Sequence, residues 1–545
     1  MYSLNLENQL DEATKELIIN MEKQLEEKAS EIKSKDKEIN DLKNQLAYLQ
    51  GQILNKNRKI FGQSSEQVDS NQISIFDEAE KNSNSKIEEP TIEEVVYQRA
   101  KPSKNTGKKD NLANLERVVI EHKLSPVEAI CSECNSELEV IGKKTKEVLK
   151  YVPAKLYIEE HVTYSYACKA CEAASGEASI ETTKGYEGIL YKSMASNELV
   201  AHVVNMKYQH AMPLYRLETY FKMLGANLSR QTLSNWVIGA ADAVTPIIEI
   251  MKEELLKSPY VQADETTLQV IEDNGKESKS KKYMWLYKTG GNVRPIIIYD
   301  YQKTRSSSCP RDFLSGFSGY LQTDGYAGYN SVENIKRLYC LAHIRRKFHE
   351  IIINLDEEAL KKSRAIIGFN LCEKIYKVEK DIKEQYGDNE TFYEKRYEIR
   401  LEKTAPLLDE FEEYVNREIK EALPKSALGK ALEYARKLLP DMKTVLEDGI
   451  LDIDNNASER AIKPFVIGRK NWLFSTSSKG AKASAMIYSI IETAKANNLI
   501  VEKYLTYLFD MLSKSDVQSK EQFYELMPWS ADLPEDVKIL KVENN

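Results

Sequence analysis

Tyr260-Val261-Gln262-Ala263-Asp264-Glu265-Thr266-Thr267 and Gly319-Tyr320-Leu321-Gln322-Thr323-Asp324-Gly325-Tyr326 are short, largely apolar runs that each arrive at an aspartate. Runs of this length, rich in aromatic and β-branched residues and bounded by turn residues, predict buried strands. Between them, Lys282–Lys288 and Arg294–Asp300 predict two more strands, and Cys309–Leu314 predicts a short helix. Arg337-Leu338-Tyr339-Cys340-Leu341 predicts a fifth strand that feeds the basic helix Ala342-His343-Ile344-Arg345-Arg346-Lys347-Phe348.

Three strands, a helix, a strand and a strand–helix unit is the order of a ribonuclease H-like fold. In that order the first and fourth strands are neighbours, so Asp264 and Asp324 are expected side by side. A third acid, Glu459, stands downstream in Asp454-Asn455-Asn456-Ala457-Ser458-Glu459-Arg460-Ala461-Ile462-Lys463-Pro464. Two strand-end carboxylates and a third on a helix can hold a pair of divalent metals for phosphoryl transfer on nucleic acid. A lone aspartate more often caps or faces water, and Asp324-Gly325 alone would read as a turn. Asp300 rivals the strand-end pair, and Asp452, Asp454 and Glu492 rival Glu459.

The stretch between Asp324 and Glu459 is far longer than a connecting loop. Residues 350–449 are helical in pattern and rich in Lys and Glu, which reads as a helical insertion with mostly solvated charged faces. The catalytic core is then expected in two pieces, 251–349 and 450–515, followed by a C-terminal tail, 516–545. After Glu459 come Arg460, Lys463, Arg469 and Lys470, with Trp472 and Phe474 interleaved. Basic residues supply phosphate contacts and aromatic rings can stack on unpaired bases, although at least one of these rings is expected to be core.

Upstream, residues 1–66 read as a coiled coil: Ile18, Leu25, Ile32, Ile39, Leu46 and Ile53 recur every seven residues. Lys28 and Lys35 on the second seam weaken its middle. Residues 67–116 are poor in large apolar side chains and read as a flexible linker. Residues 117–185 hold Cys131-x-x-Cys134 and Cys168-x-x-Cys171, two knuckles on strand-like sequence that predict a zinc ribbon with four thiolate ligands. Residues 186–250 read as helices. Pro213–Phe221, a turn at Leu224-Gly225-Ala226-Asn227 and Leu228–Val237 form a helix-turn-helix pattern. Ser229 is the expected N-cap of its second helix, with Arg230, Gln231 and Asn235 exposed toward DNA and Leu233, Trp236 and Val237 inward.

The chain has 545 residues, a net charge of −8 and 7 cysteines. That length accommodates several domains. The acidic total does not announce nucleic-acid binding, but local patches decide that. Four paired cysteines suit a metal site in a reducing compartment rather than a disulfide framework. There is no basic-then-apolar leader pattern and no apolar run long enough for a membrane span, so a cytoplasmic, nucleoid-associated protein is expected.

Seven ordered stretches carry a resemblance: RKIFGQSSE, the paired C-x-x-C segment, KYQHAMPLYRLETYFKMLGANLSRQTLSNWV, QADETTLQV, LQTDGYAGYN, CLAHIRRKF and DNNASERAIKPFVIGRKNWLFS. The chain resembles transposases of the insertion sequence 66 family over nearly all of its length. The resemblance implies a DDE triad at Asp264, Asp324 and Glu459 with Mg²⁺ or Mn²⁺. It implies cleavage at the ends of a mobile element, then strand transfer into target DNA, with Arg345, Arg346 and the basic residues near Glu459 on phosphates. It further implies partners: terminal inverted repeats, target DNA, further copies of the chain and small accessory proteins. The competing readings are an inert DNA binder and a nuclease that cuts without joining.

Overall fold

The computed structural model describes residues 20–21, 23–36, 43, 154–168 and 179–539, without 274–275, 278–280, 292, 354, 388, 515–516 and 518. The chain divides into two units, residues 1–61 with 159–539 and residues 62–158 with 540–545. Only 154–158 of the second are described, so the account below concerns the first. Cys131, Cys134, Cys171, the side chain of Cys168 and the linker 67–116 lie outside the described residues. Residues 23–36 are helical, with the seam residues Leu25 and Ile32 exposed.

A hairpin, β1 (Ser165–Cys168) and β2 (Ser179–Thr182), precedes four helices. These are α1 (Asn197–Tyr208), α2 (Leu214–Met223), α3 (Arg230–Ala243) and α4 (Thr245–Leu256). Gly225 turns the chain between α2 and α3 at φ +91°, a conformation that a Cβ would strain. Ser229 caps α3 by accepting from the Thr232 amide at 3.1 Å. As the pattern predicts, Leu233, Trp236 and Val237 are buried while Arg230, Gln231 and Asn235 are exposed.

Next come β3 (Tyr260–Leu268), β4 (Val270–Asp273), β5 (Lys276–Glu277), β6 (Lys282–Thr289) and β7 (Ile297–Gln302). Helix α5 (Ser308–Phe313) then leads to β8 (Gly319–Thr323) and β9 (Ile335–Tyr339). The main sheet has the order β7-β6-β3-β8-β9. β3, β6 and β7 form an antiparallel meander, whereas β8 runs parallel to β3 and β9 parallel to β8. β3 is central, and Tyr260 to Ala263 are buried in succession, as a strand covered on both faces requires. Gly319 lets β8 start close against β3, since a Cβ there would stand 2.4 Å from the Pro259 carbonyl oxygen.

Helix α6 (Leu341–Ile352) follows β9 and opens the helical insertion: α7 (Glu357–Lys362), α8 (Ala365–Tyr386), α9 (Phe392–Ile399), α10 (Ala405–Glu418) and α11 (Ala427–Met442). Ile344 and Phe348 of α6 share a core with Leu371, Ile375, Phe411, Val415 and Leu432. Most of the insertion's charges are solvated, as expected, but one cluster is buried. Arg400 is fully buried in a π-helical turn between α9 and α10. It donates to both oxygens of Glu379, at 2.6 and 3.0 Å, and to the Leu451 carbonyl at 2.7 Å. Arg396 donates to Glu379 at 2.9 Å and to Asp452 at 3.1 Å. Such a buried cluster persists because each charge is hydrogen-bonded as well as paired.

The chain returns through α12 (Asn456–Trp472), β10 (Ser475–Ser477), α13 (Ser478–Ala496), α14 (Val501–Leu512) and α15 (Lys520–Glu525). β10 pairs parallel with β4, a small second sheet that the sequence pattern did not predict. α13 begins at Ser478. α13 lies along the edge strand β7. Thr493 Oγ1 accepts from the Ile297 amide and donates to its carbonyl, both at 3.0 Å, and Ser489 Oγ accepts from the Tyr299 amide at 2.8 Å. Residues four apart on one helix face thus satisfy an otherwise open strand edge. The segment expected as a tail is folded as far as residue 539: Leu526 and Met527 are buried, and the Tyr524 hydroxyl donates to Glu254 at 2.7 Å. Among the described residues no helix is long and apolar enough to cross a membrane.

Candidate active site

β3, β8 and β9 run parallel, so their carboxyl ends open on one crevice, the usual ligand position in sheets of this kind. Along β3 and β8 the same triplet pattern repeats: Gln262-Ala263-Asp264 and Gln322-Thr323-Asp324. The β3–β8 ladder pairs Gln262 with Gln322 and stops there. Alternation puts each aspartate on the face of its own glutamine, two residues past the last paired position.

The glutamines form the floor. Gln262 Nε2 donates to Gln322 Oε1 at 2.7 Å, and the Tyr260 hydroxyl donates to the same oxygen. Gln322 Nε2 donates to the Asp452 carbonyl at 2.6 Å, and Gln262 Nε2 lies 3.3 Å from the Asp452 carboxylate. Arg396 holds that carboxylate from the insertion.

Glu459 arrives from above in the first turn of α12. The Asn455 side-chain Nδ2 donates to the Ala263 carbonyl at 2.9 Å, fixing the start of α12 beside Asp264. Its far end is tied by Arg469, which donates to the Thr267 carbonyl. Tyr299, across the sheet on the same face as Asp264, donates to the Ala461 carbonyl between these ties.

The site is short of positive charge at its centre. Asp264 Oδ1 accepts from the Glu265 amide at 2.8 Å, and Asp324 Oδ1 accepts from the Tyr326 amide at 2.9 Å. Among the described residues neither forms an ion pair. Burial, and then the charges of Glu265, Asp324 and Glu459, push the Asp264 carboxyl up to about 7. Three segments far apart in sequence therefore bring their carboxylates within electrostatic reach of one another. Glu265 faces the other side of the sheet, where Arg305 and the Tyr329 hydroxyl, at 2.7 Å, hold it; its carboxyl is also raised by burial. Around Glu459 stand His343, 3.8 Å away, and Arg346, 3.9 Å away.

The rival acids have other partners. Asp300 pairs across the sheet with Trp285, whose β3 partner is Glu265, so it lies on the face opposite Asp264 and accepts from Gln302. Asp452 pairs with Arg396, and Glu492 with Lys495 at 2.9 Å. Asp454 accepts from the Asn456 amide at 3.0 Å, a turn-forming role.

Of the expected phosphate contacts, Arg460, Lys463 and Lys470 are exposed along α12, and Arg346 is exposed beside Glu459. Arg345 points elsewhere: it pairs with Glu373 and lies over the Phe369 ring. Arg469 is spent on β3, and Arg230 stands 3.8 Å from Glu218. Trp472 packs edge-on against Tyr208 with Lys207 over its face, whereas Phe474 is exposed. The sequence reading passed over Gln262, Gln322, Cys340 and His343. The repeated Gln-x-Asp and the Cys-x-x-His in Cys340-Leu341-Ala342-His343 were the signals available.

Residues 192–483 match the family described as Transposase IS66 family, and residues 489–529 the IS66 C-terminal element. Residues 128–172, which include all four paired cysteines, match the zinc-finger binding domain of transposase IS66. Residues 48–120 match the family described as Transposase C of IS166 homeodomain. Two uncharacterized proteins of Sinorhizobium fredii are similar. The chain is 27% identical to y4hP over 437 residues, 76% of this chain and 74% of the relative. It is 27% identical to y4jD over 423 residues, 75% and 79% of the two chains.

Proposed function

Because the chain belongs to the IS66 family of transposases, we propose that it cuts the ends of a mobile DNA element and joins them to target DNA at Asp264, Asp324 and Glu459. One observation carries this reading. Three carboxylates from β3, β8 and α12 come within electrostatic reach of one another, neither aspartate forms an ion pair among the described residues, and the Asp264 carboxyl is pushed up to about 7. Hard divalent cations such as Mg²⁺ or Mn²⁺ fit an all-oxygen cluster of this kind. The strand order β7-β6-β3-β8-β9 supports a ribonuclease H-like reading of the domain.

Asp264 and Asp324 are the residues to hold such ions jointly, with Glu459 completing the set from the helix. Bound there, a metal pair activates the attacking oxygen and stabilises the leaving one. In the first step water attacks the phosphodiester, the bond to the 3′ oxygen breaks, and a 3′-hydroxyl is released. In the second step that hydroxyl attacks a target phosphodiester and displaces its 3′ oxygen. Asp264 gives up its proton as the site is charged. Arg346, Arg460, Lys463 and Lys470 line the approach and hold backbone phosphates, and Arg230, Gln231 and Asn235 on α3 read duplex DNA. The zinc finger of residues 128–172 takes Zn²⁺ on Cys131, Cys134, Cys168 and Cys171. Joining two ends calls for more than one active site, which gives the N-terminal heptads a role in self-association; accessory proteins of the same element and a nucleoid location complete the proposal.

The test is nicking and joining of DNA carrying the element's own ends. Mg²⁺-dependent products are expected in the parent, with losses of at least about 10²-fold in Asp264→Ala, Asp324→Ala and Glu459→Ala. Full activity in any of these removes that residue from the site. Nicks without joints support the nuclease reading, and binding without nicks supports the inert binder.

A further inference from the structure

The carboxyl end of β9 brings a second kind of chemistry to the crevice. Cys340 Sγ, a ring nitrogen of His343 and a carboxylate oxygen of Glu459 lie within 4.8 Å of one another. Cys340 directly follows β9 and is the N-cap residue of α6, so the Cys-x-x-His spacing sets His343 on the first helical turn beside it. The sulfur is buried and accepts from the Asn455 amide at 3.1 Å. Asn455 is the residue before α12, so one backbone segment positions both the sulfur and Glu459.

His343 is poorly served by the protein. Its Nδ1 is buried with no hydrogen-bond partner among the described residues. Its Nε2 stays 3.8 Å from Glu459, past hydrogen-bond reach. Leaving a buried ring nitrogen unpaired is costly, and natural interiors rarely leave one without a use.

We propose that Cys340, His343 and Glu459 form a site for a transition-metal ion of the zinc or cobalt class. A thiolate, an imidazole and a carboxylate are three ligands with a fourth position open, the arrangement of a reactive rather than a sealed zinc site. This mixed sulfur, nitrogen and oxygen set selects against Mg²⁺, which prefers oxygen ligands in octahedral array. Binding exchanges the thiol proton of Cys340 for the metal, and the proton leaves to solvent. The site shares Glu459 with the proposed triad and rests on that reading only for its effect on catalysis.

Cobalt(II) titration of the metal-stripped full chain, without DNA, tests this, since a thiolate ligand produces a near-ultraviolet charge-transfer band. The zinc-finger cysteines are first removed as Cys131→Ser, Cys134→Ser, Cys168→Ser and Cys171→Ser. That chain is expected to keep a thiolate–cobalt band at about one ion per chain. Cys340→Ser added to it abolishes the band, and His343→Ala weakens binding and shifts the visible bands. Absence of a band before Cys340 is replaced, or its persistence afterwards, overturns the site. If the multiple variant does not fold, the difference spectrum between the parent and Cys340→Ser, each checked by circular dichroism, gives the same decision. Cobalt binding and DNA cleavage are separate readouts: a chain that cleaves but lacks the band loses only this site. A chain with the band that does not cleave loses only the proposed reaction.

Discussion

Two layers of the same strands, two residues apart, are built in opposite ways. At Gln262 and Gln322 the side chains bond to each other, to Tyr260 and to Asp452, and through Asp452 to the buried Arg396. At Asp264 and Asp324 each carboxylate has one backbone amide and like-charged neighbours. The floor is a network of neutral amides anchored to paired charges; the rim is unpaired negative charge. Three of the floor's four glutamine amide atoms are hydrogen-bonded, with Gln262 Oε1 buried without a partner among the described residues, whereas the rim has no lysine or arginine in an ion pair with either aspartate there. The contrast supports the proposed cation site at the rim.

Changes to the floor should cost stability, and changes to the rim should not. The largest effect is expected for Arg400→Met, which leaves Glu379 buried without its closest partner. Loss of about 3–5 kcal/mol is expected in denaturant unfolding, and an unchanged midpoint would mean that the cluster does not anchor the insertion. Gln322→Leu comes next. It removes the acceptor for Tyr260 and Gln262 and the donor to Asp452, and should cost about 1–3 kcal/mol. DNA cleavage should fall with it at temperatures where the variant is fully folded, because Asp324 lies two residues on; folded protein with parental cleavage would separate floor from rim.

The rim carries the smallest effect, with the opposite sign. The Asp264 carboxyl is raised, so the folded state holds its proton more tightly than the unfolded chain. Stability of the metal-free protein therefore falls as pH rises from the unfolded value of about 4 towards the folded value of about 7. Asp264→Asn removes that loss. Above pH 7 the variant should be the more stable, and below pH 4 the difference should close. Added Mg²⁺ should raise the parent's melting temperature and leave that of the variant unchanged. A variant less stable than the parent at pH 8 would place Asp264 in the floor's class.

The strands and the candidate acids at their ends were legible because both signals are local. Apolar runs ending in turn residues mark β3 and β8, and the polar run around Glu459 sets it apart from Asp452, Asp454 and Glu492. What escaped was long-range. Arg396, Arg400 and Glu379 read as surface charges because helical spacing alone does not reveal that the face they share turns inward toward residues 445–452. No sequence signal marks Ser489 and Thr493, since their bonds are to the backbone of β7. Arg345 read as a phosphate contact like its neighbour Arg346, and only packing against α8 separates the two. Gln262 and Gln322 lay in plain sight, but their meaning depends on strand register.

The most direct test of the rim is a DNA end whose 3′ leaving oxygen at the cleaved phosphodiester is replaced by sulfur. If Asp264, Asp324 and Glu459 hold divalent metal against that atom, single-turnover cleavage is lost in Mg²⁺ and recovered in the more thiophilic Mn²⁺, with no recovery in Asp324→Ala. Equal cleavage of the oxygen and sulfur substrates in Mg²⁺ would contradict the account.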